Sequence, residues 1–448
     1  MSNHNNITKE MLNQFSSEFN SDPSRIVIKN AIIKNGIKNI ALNHSSLISN
    51  QKTFSNEIAT GKITSQNKSG RCWIFAGMNT LRHRISEDFK MKDFELSQVQ
   101  PFFYDKLEKA NYFLDNIIET IEEDTDSRIV MWLLDSPMND GGQWEMFSNL
   151  VLKYGLMPKH VMPETFHSSD AMIMNQLLTV KLREDASIIR NLHREGENTS
   201  NLHALKTEML SDIYKMLTFF MGEPPTTFDF EYRDTDGDFH RITDLTPQTF
   251  RDRYLKLDIR DYVSLINAPT ADKPFDRTFT VQYLGNVRDG KAVRYLNLEN
   301  SVLKKIALAQ LTNGEPVWFG CDVGKMLDRD KGVIDPDLFL YDGALGVNFG
   351  LDKAARLDYG ETRMTHAMVF TGVNIVDGKP DRWKVENSWG EKAGSEGFLI
   401  MSDKWFDEYN FQVVVNKKYL PQELKDAYKL EPIVLKPWDP MGSLALMR

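Results

Sequence analysis

Two cysteines occur in the 448 residues, Cys72 and Cys321, and they stand in different contexts. Cys72 lies in Gln66-Asn67-Lys68-Ser69-Gly70-Arg71-Cys72-Trp73-Ile74-Phe75, where small and flexible residues lead into a helical pattern. A thiol in the first turn of a helix sits where the helix carries roughly half a positive charge, which favours thiolate over thiol. The backbone N–H groups of that turn have no partners within the helix and can donate to an oxyanion forming on a substrate carbonyl. Gln66, six residues upstream, offers a side-chain amide to the same oxyanion. The chemistry suggested is nucleophilic attack by sulfur on an acyl carbon. Cys321, in the apolar run Val317-Trp318-Phe319-Gly320-Cys321, reads as a buried strand residue.

A catalytic thiol needs a base within hydrogen-bond reach and a group that fixes the base. Of nine histidines, His83 lies eleven residues along the Cys72 helix, about 16 Å away on the axis and too far to pair. His4 and His44 fall in polar N-terminal sequence, and His160, His167, His193, His203 and His240 in polar or helical surface contexts. His366 opens the apolar strand Thr365-His366-Ala367-Met368-Val369-Phe370. Glu386-Asn387-Ser388-Trp389-Gly390 follows on the neighbouring strand. Asn387 can accept from one ring nitrogen and aim the other at sulfur, while Trp389 covers that bond from water.

The elements that must position these groups follow from periodicity. Ile7, Met11, Phe15 and Phe19 mark an amphipathic helix, and residues 21–70 read as polar and irregular. Ile74, Met78, Leu81, Ile85 and Phe89 carry the Cys72 helix. Ser97–Ala110 and Tyr112–Glu122 read as two further helices. Gly141-Gly142 interrupts the pattern before Gly142–Tyr154 resumes it. Residues 170–192 and 203–221 form a helical pair turning at Gly196, and a hairpin turns at Asp236-Gly237. Strands follow, ending with the pair His366–Ile375 and Arg382–Ser388 around Asp377-Gly378, then Phe398–Met401 and Gln412–Val415. Helices first and strands later imply an α+β fold.

Composition bounds the class. Hydrophobic residues are 41% and charged residues 26%, ordinary globular usage. Two cysteines exclude a disulfide framework. No apolar run approaches the roughly 18 residues of a membrane span, and Met1–Glu10 lacks signal-peptide character, so a cytoplasmic protein is expected. The net charge of −9 disfavours a nucleic-acid partner. Histidines without i, i+4 carboxylate pairing and cysteines without a Cys-x-x-Cys partner give no metal site, and no cofactor is expected.

Gln66, Cys72-Trp73, His366 and Asn387-Ser388-Trp389-Gly390 together resemble the papain-like cysteine peptidases. Ser69 stands where secreted members carry a disulfide cysteine, which fits a reducing compartment. The separation from Cys72 to His366 is 294 residues, against roughly 130–150 in the papain pattern. Asp140-Gly141-Gly142-Gln143-Trp144, Thr365-His366-Ala367-Met368 and Pro437-Trp438-Asp439-Pro440-Met441-Gly442 extend the resemblance, almost end to end, to the bleomycin hydrolase and bacterial aminopeptidase C group.

That resemblance implies a papain-like core of a helical half and a β-barrel-like half, with an inserted helical block and a C-terminal arm. The corresponding organisation is an N-terminal extension and hook at 1–64, a helical half at 65–164, an inserted block at 165–260, a β-rich half at 261–430 and an arm at 431–448. It implies a cytoplasmic cysteine aminopeptidase acting through a thioester on peptides with a free N-terminus, assembled as a homohexamer. Cys72, His366, Asn387 and Gln66 are the implied catalytic residues. Gly141 and Gly142 would form the backbone strip that binds peptide, with Trp389 alongside. In this family the terminal carboxylate of the arm meets the substrate's amino group, which here points to Arg448. Members commonly end near a Leu-Ala like Leu444-Ala445, and this chain continues through Leu446-Met447-Arg448. Folding back, trimming and fraying of those residues remain open. The same constellation also serves amide or thiolactone hydrolysis, and some members bind single-stranded nucleic acid.

Overall fold

The computed structural model describes residues 6–91 and 93–443. Four helices open the chain: α1 (Lys9–Asn20), α2 (Pro23–Asn35), α3 (Ile37–Ala41) and α4 (His44–Ser49). The last three occupy the segment expected to be irregular. Consecutive Ile26, Val27 and Ile28 ring α2 with apolar side chains, so no single stripe betrays it. Its ends are nevertheless encoded: Asp22 caps the first turn by accepting from the Ser24 N–H, Pro23 holds the first position, and the Gly36 N–H closes onto the Ile32 carbonyl.

The helical half follows with α5 (Cys72–Asp88), α6 (Val99–Glu119), α7 (Arg128–Asp135) and α8 (Trp144–Tyr154). Where two helices were expected between Ser97 and Glu122, α6 is continuous, because nothing near Asn111 breaks it. Pro101 sits in its first turn, where no intrahelical N–H is needed. After a short turn, α9 (Phe166–Ser169), the pair α10 (Met172–Arg194) and α11 (Thr199–Met221) packs on α6 and shares one buried cluster with it. Gly196, at φ +98°, makes the turn between them.

Two strands, β2 (Phe228–Arg233) and β3 (Phe239–Leu245), form a separate hairpin. The main sheet joins β4 (Tyr262–Ile266), β5 (Arg277–Val281), β6 (Tyr295–Asn297), β7 (Val317–Cys321), β8 (Leu327–Asp328), β9 (Val333–Ile334), β10 (His366–Val376), β11 (Lys379–Glu386), β12 (Phe398–Ser402), β13 (Asn410–Asn416) and β14 (Ile433–Leu435). Their order across the sheet is β14-β5-β6-β4-β13-β7-β10-β11-β12-β9-β8, with β1 (Asn56–Glu57) also on β10.

Side chains alternate across the central strands. Ala367, Val369 and Trp318 face the helical core, and Met368, Phe370, Phe319 and Cys321 face a second core within the sheet. The result is an α+β molecule whose two halves meet where α5 lies on β10 and β7. Among the described residues, no helix is long and apolar enough to cross a membrane.

Candidate active site

Cys72 is the first residue of α5 and is fully buried. The loop before it is held from both sides. The Gln66 N–H donates to the Ser388 carbonyl, and the Gly70 N–H donates to Oδ2 of Asp140 at 2.8 Å. Arg71 is buried between the rings of Phe75 and Phe102 and forms a two-pronged ion pair with Glu164, at 3.1 and 2.9 Å. Ser69 Oγ donates to the Gln66 carbonyl and accepts from Arg71 Nε, so a hydroxyl joins this polar lattice where the resemblance would put a disulfide cysteine.

His366 begins β10, directly opposite Cys321 on β7. β10 and β11 form a tight hairpin through Asp377 and Gly378, both left-handed at φ +49° and +76°. The hairpin returns the chain to Asn387 beside the start of β10. His366 Nε2 donates to Asn387 Oδ1 at 2.8 Å, which leaves the buried Nδ1, without a hydrogen-bond partner among the described residues, for the thiol. Trp389 lies over the imidazole with ring centroids 5.1 Å apart, and the Arg329 guanidinium lies 4.6 Å from the Trp389 ring on its own account.

Gln66 is buried and clasped. Its Oε1 accepts from Ser388 Oγ at 2.6 Å, and its Nε2 donates one hydrogen to the Ser69 carbonyl at 2.6 Å. A primary amide has a second N–H, which remains for an oxyanion. The strip 139–142 is fixed from beneath. Lys109 Nζ donates to the carbonyls of Gly141 at 2.6 Å and Asn139 at 3.1 Å, and the Trp73 indole N–H donates to the Asp140 carbonyl at 2.7 Å. Gly142 lies against the Trp73 indole so closely that a Cβ there would overlap the ring.

Electrostatics in the site are dominated by burial. Burial pushes the Cys72 thiol up to about 12, opposed by N–H groups of Ala367, Trp73 and Cys72 itself directed at the sulfur. Burial pushes the His366 imidazole down to about 4, opposed by its bond to Asn387 and reinforced by the Arg329 cation. Desolvation thus penalises both charged forms and opposes the thiolate that the helix terminus favours.

The C-terminal arm reaches this cleft. Ser443 Oγ donates to the Met364 carbonyl at 2.7 Å, two residues before His366. Gln143 Nε2, next to the glycine strip, donates to the Ser443 carbonyl at 2.8 Å. Arg448 and the preceding Leu444–Met447 lie outside the described residues. Cys72, His366, Asn387, Gln66, Gly141, Gly142 and Trp389 thus come from four separate stretches of chain, linked by the bonds just described. Ser388, Asp140, Gln143 and Met364 join them without having been singled out for it. Asp140 and Gln143 flank the two glycines in sequence, a signal that was readable, whereas the Met364 contact had none. Among the described residues, no group of three or more His, Cys, Asp or Glu side chains could hold a metal ion.

Residues 6–442 match the peptidase C1-like family. The chain belongs to that family. Among relatives of this C1-like peptidase, aminopeptidase C of Listeria monocytogenes is 52% identical over 440 residues, 98% of this chain and 99% of that protein. Aminopeptidase C of Lactobacillus delbrueckii subsp. lactis is 46% identical, covering 98% of each chain. The crystal structure of PepW from Lactobacillus rhamnosis superimposes with a TM-score of 0.98 at 50% identity, over 99% of this peptidase and 100% of that chain. The α+β architecture is accordingly that of a papain-like cysteine peptidase.

Proposed function

We propose that this cysteine peptidase is an aminopeptidase that removes residues from the free N-termini of peptides through a thioester on Cys72. The observation that carries the reading is the Ala367 N–H directed at the Cys72 sulfur, which brings the Cys72 helix to the start of β10, where Asn387 holds the His366 ring and Ser443 of the arm binds Met364. Relatives named aminopeptidase C, close to this chain in sequence over their full length, support it.

The Cys72 proton passes to Nδ1 of His366 as sulfur attacks the carbonyl carbon of the first peptide bond. Because both neutral forms are favoured by burial, the charged pair forms as substrate arrives and the new charges stabilise each other. The tetrahedral oxyanion accepts from the Cys72 backbone N–H and the second N–H of Gln66. The imidazolium gives its proton to the departing amine as the C–N bond breaks, leaving the acyl group on sulfur. His366 then takes a proton from water, hydroxide adds to the thioester, and the released thiolate recovers the proton. Gly141 and Gly142 hold the peptide backbone and Trp389 keeps water from the His366–Asn387 bond. The arm, followed as far as Ser443, borders the groove on one side, and a carboxylate of the arm meets the substrate ammonium.

The test compares an aminoacyl arylamide with its N-acetylated form. Turnover of the first and loss of at least 10²-fold on the second supports the reading. Equal turnover of both, or internal cleavage of N-acetylated peptides, contradicts it.

The homohexamer is part of the same proposal. Ile7, Phe15, Val27 and Ile33 on the N-terminal segment are 72, 50, 69 and 76% exposed, an apolar surface suited to a second copy of the chain. Sedimentation at micromolar concentration checks it: a species of six chains is expected, and a monomer contradicts it. A cytoplasmic location is proposed with it, supported by Ser69 in the place of a disulfide cysteine.

A further inference from the structure

The carboxylate of Asp140 binds three different parts of the molecule. Oδ2 accepts from the Gly70 N–H at 2.8 Å, two residues before the nucleophile. Oδ1 accepts from Lys106 Nζ on α6 at 2.6 Å and from Asn175 Nδ2 on α10 at 2.7 Å. The backbone carbonyl of the same residue accepts the Trp73 indole N–H, and the next residues are Gly141 and Gly142. Lys106 is fully buried, and its ammonium also donates to the Asn139 carbonyl at 2.7 Å. One ion pair therefore ties the loop that delivers Cys72 to the strip that would hold the peptide, and ties both to α6 and α10.

We infer that the buried Asp140–Lys106 pair is a positioning device for the reaction, setting the placement of the Cys72 turn against the Gly141-Gly142 strip while presenting the thiol with a compensated charge. The inference rests on the peptidase reading. A buried carboxylate beside a nucleophilic thiol is a liability by itself, because its charge opposes the thiolate. Here the Asp140 charge does raise the Cys72 thiol. Lys106, in contact with that carboxylate at 2.6 Å, sets the opposite charge beside it. Burial would raise the Asp140 carboxyl, but Lys106, the Gly70 N–H and Asn175 hold it down to about 2, while burial pushes the Lys106 ammonium down against the pull of Asp140.

Several groups among the described residues bear on the titration of Cys72. His366 comes from β10 and Cys321 from β7. Arg71 is neutralised by Glu164, and Lys109 by Asp105 at 2.7 Å. Arg329 acts on His366. Among the described residues, Asp140 is the carboxylate that acts on the thiol, and its charge can be removed by substitution.

Three variants separate placement from charge. Lys106→Met leaves the carboxylate uncompensated, and Asp140→Asn leaves the ammonium uncompensated. Asp140→Ala with Lys106→Met removes both charges together with the acceptor for Gly70. The probe is the pH dependence of iodoacetamide alkylation at Cys72, followed by intact mass, beside kcat and KM on an aminoacyl arylamide. The alkylation limb should move to higher pH in Lys106→Met and to lower pH in Asp140→Asn. The double variant should return the limb near wild type yet lose about 10²-fold in kcat, the cost of a misplacement of about 1 Å. A double variant that folds, by near-ultraviolet circular dichroism, and keeps wild-type kcat overturns the inference even if the single variants fail to fold. Unmoved limbs in folded single variants also overturn it. Failure of the peptidase reading is distinguished by wild type itself, whose turnover must vanish when Cys72 alone is alkylated.

Discussion

Ser388 Oγ donates to Oε1 of Gln66 at 2.6 Å, across 322 residues of sequence. This bond joins the strand end that carries Asn387 to the loop that precedes Cys72. It also fixes which face of the Gln66 amide is presented to the cleft, since an amide whose oxygen is held cannot rotate its N–H groups away. Ser388→Ala should therefore lower kcat by about tenfold, and Gln66→Ala by roughly 10²–10³-fold. Because Ser388 acts through Gln66, the double variant should be no slower than Gln66→Ala alone. Additive losses in a double-mutant cycle would show that Ser388 acts by another route.

The close approach of Gly142 to Trp73 predicts a steric penalty. Gly142→Ala should destabilise the fold by about 1–3 kcal/mol and reduce turnover, because the added methyl pushes the Trp73 indole in the first turn of α5. Gly343, with nothing within 4 Å of its virtual Cβ, is the control. Thermal melts of Gly142→Ala and Gly343→Ala side by side check this, with a fall in Tm expected only for the first.

The buried imidazole predicts an acid-side loss of stability. His366 titrates near 4 in the fold and near 6.5 when unfolded. Between those values the unfolded chain binds more protons, so stability falls as pH drops from about 6.5 to 4 and is unaffected by this group above 6.5. Urea midpoints at pH 4.5 and 7.5 should differ more in wild type than in His366→Gln. An equal difference in both proteins would place the acid sensitivity elsewhere.

Lys353 offers the opposite sign. It is buried, donates to the carbonyls of Asp407 at 2.9 Å and Asn410 at 2.7 Å, and burial pushes its ammonium down to about 7. Between pH 7 and about 10.5 the unfolded chain holds the extra proton, so this lysine makes stability rise with pH through that window. Lys353→Met should flatten that rise in urea titrations between pH 7 and 9.5. An unchanged slope would mean that Lys353 stays charged in the fold.

Much of the site was legible because its chemistry is local. Gly70-Arg71-Cys72 opening a helix, and Asn387 returning on a hairpin to the start of β10, can each be read from a few adjacent residues and a turn signal at Asp377-Gly378. Gln66 was legible for the same reason, being six residues from the thiol. The supporting lattice was not. Ser388 with Gln66, Asp140 with Lys106 and Asn175, and Gln143 with Ser443 are pairings set by tertiary packing, with no periodicity to announce them. The helix α2 was hidden by apolar residues on all sides, although Asp22-Pro23 and Gly36 marked its ends. Sequence also does not reveal that Cys72 and His366 are both buried, which opposes the charge that the helix terminus favours.

The central claim is that the Cys72 sulfur carries the acyl group and Cys321 does not. The most direct measurement is intact mass after rapid acid quenching of an aminoacyl ester reaction, for wild type, Cys72→Ala and Cys321→Ala. The account predicts an aminoacyl increment on wild type and Cys321→Ala, and none on Cys72→Ala, which also loses turnover. An increment and turnover retained by Cys72→Ala would contradict it.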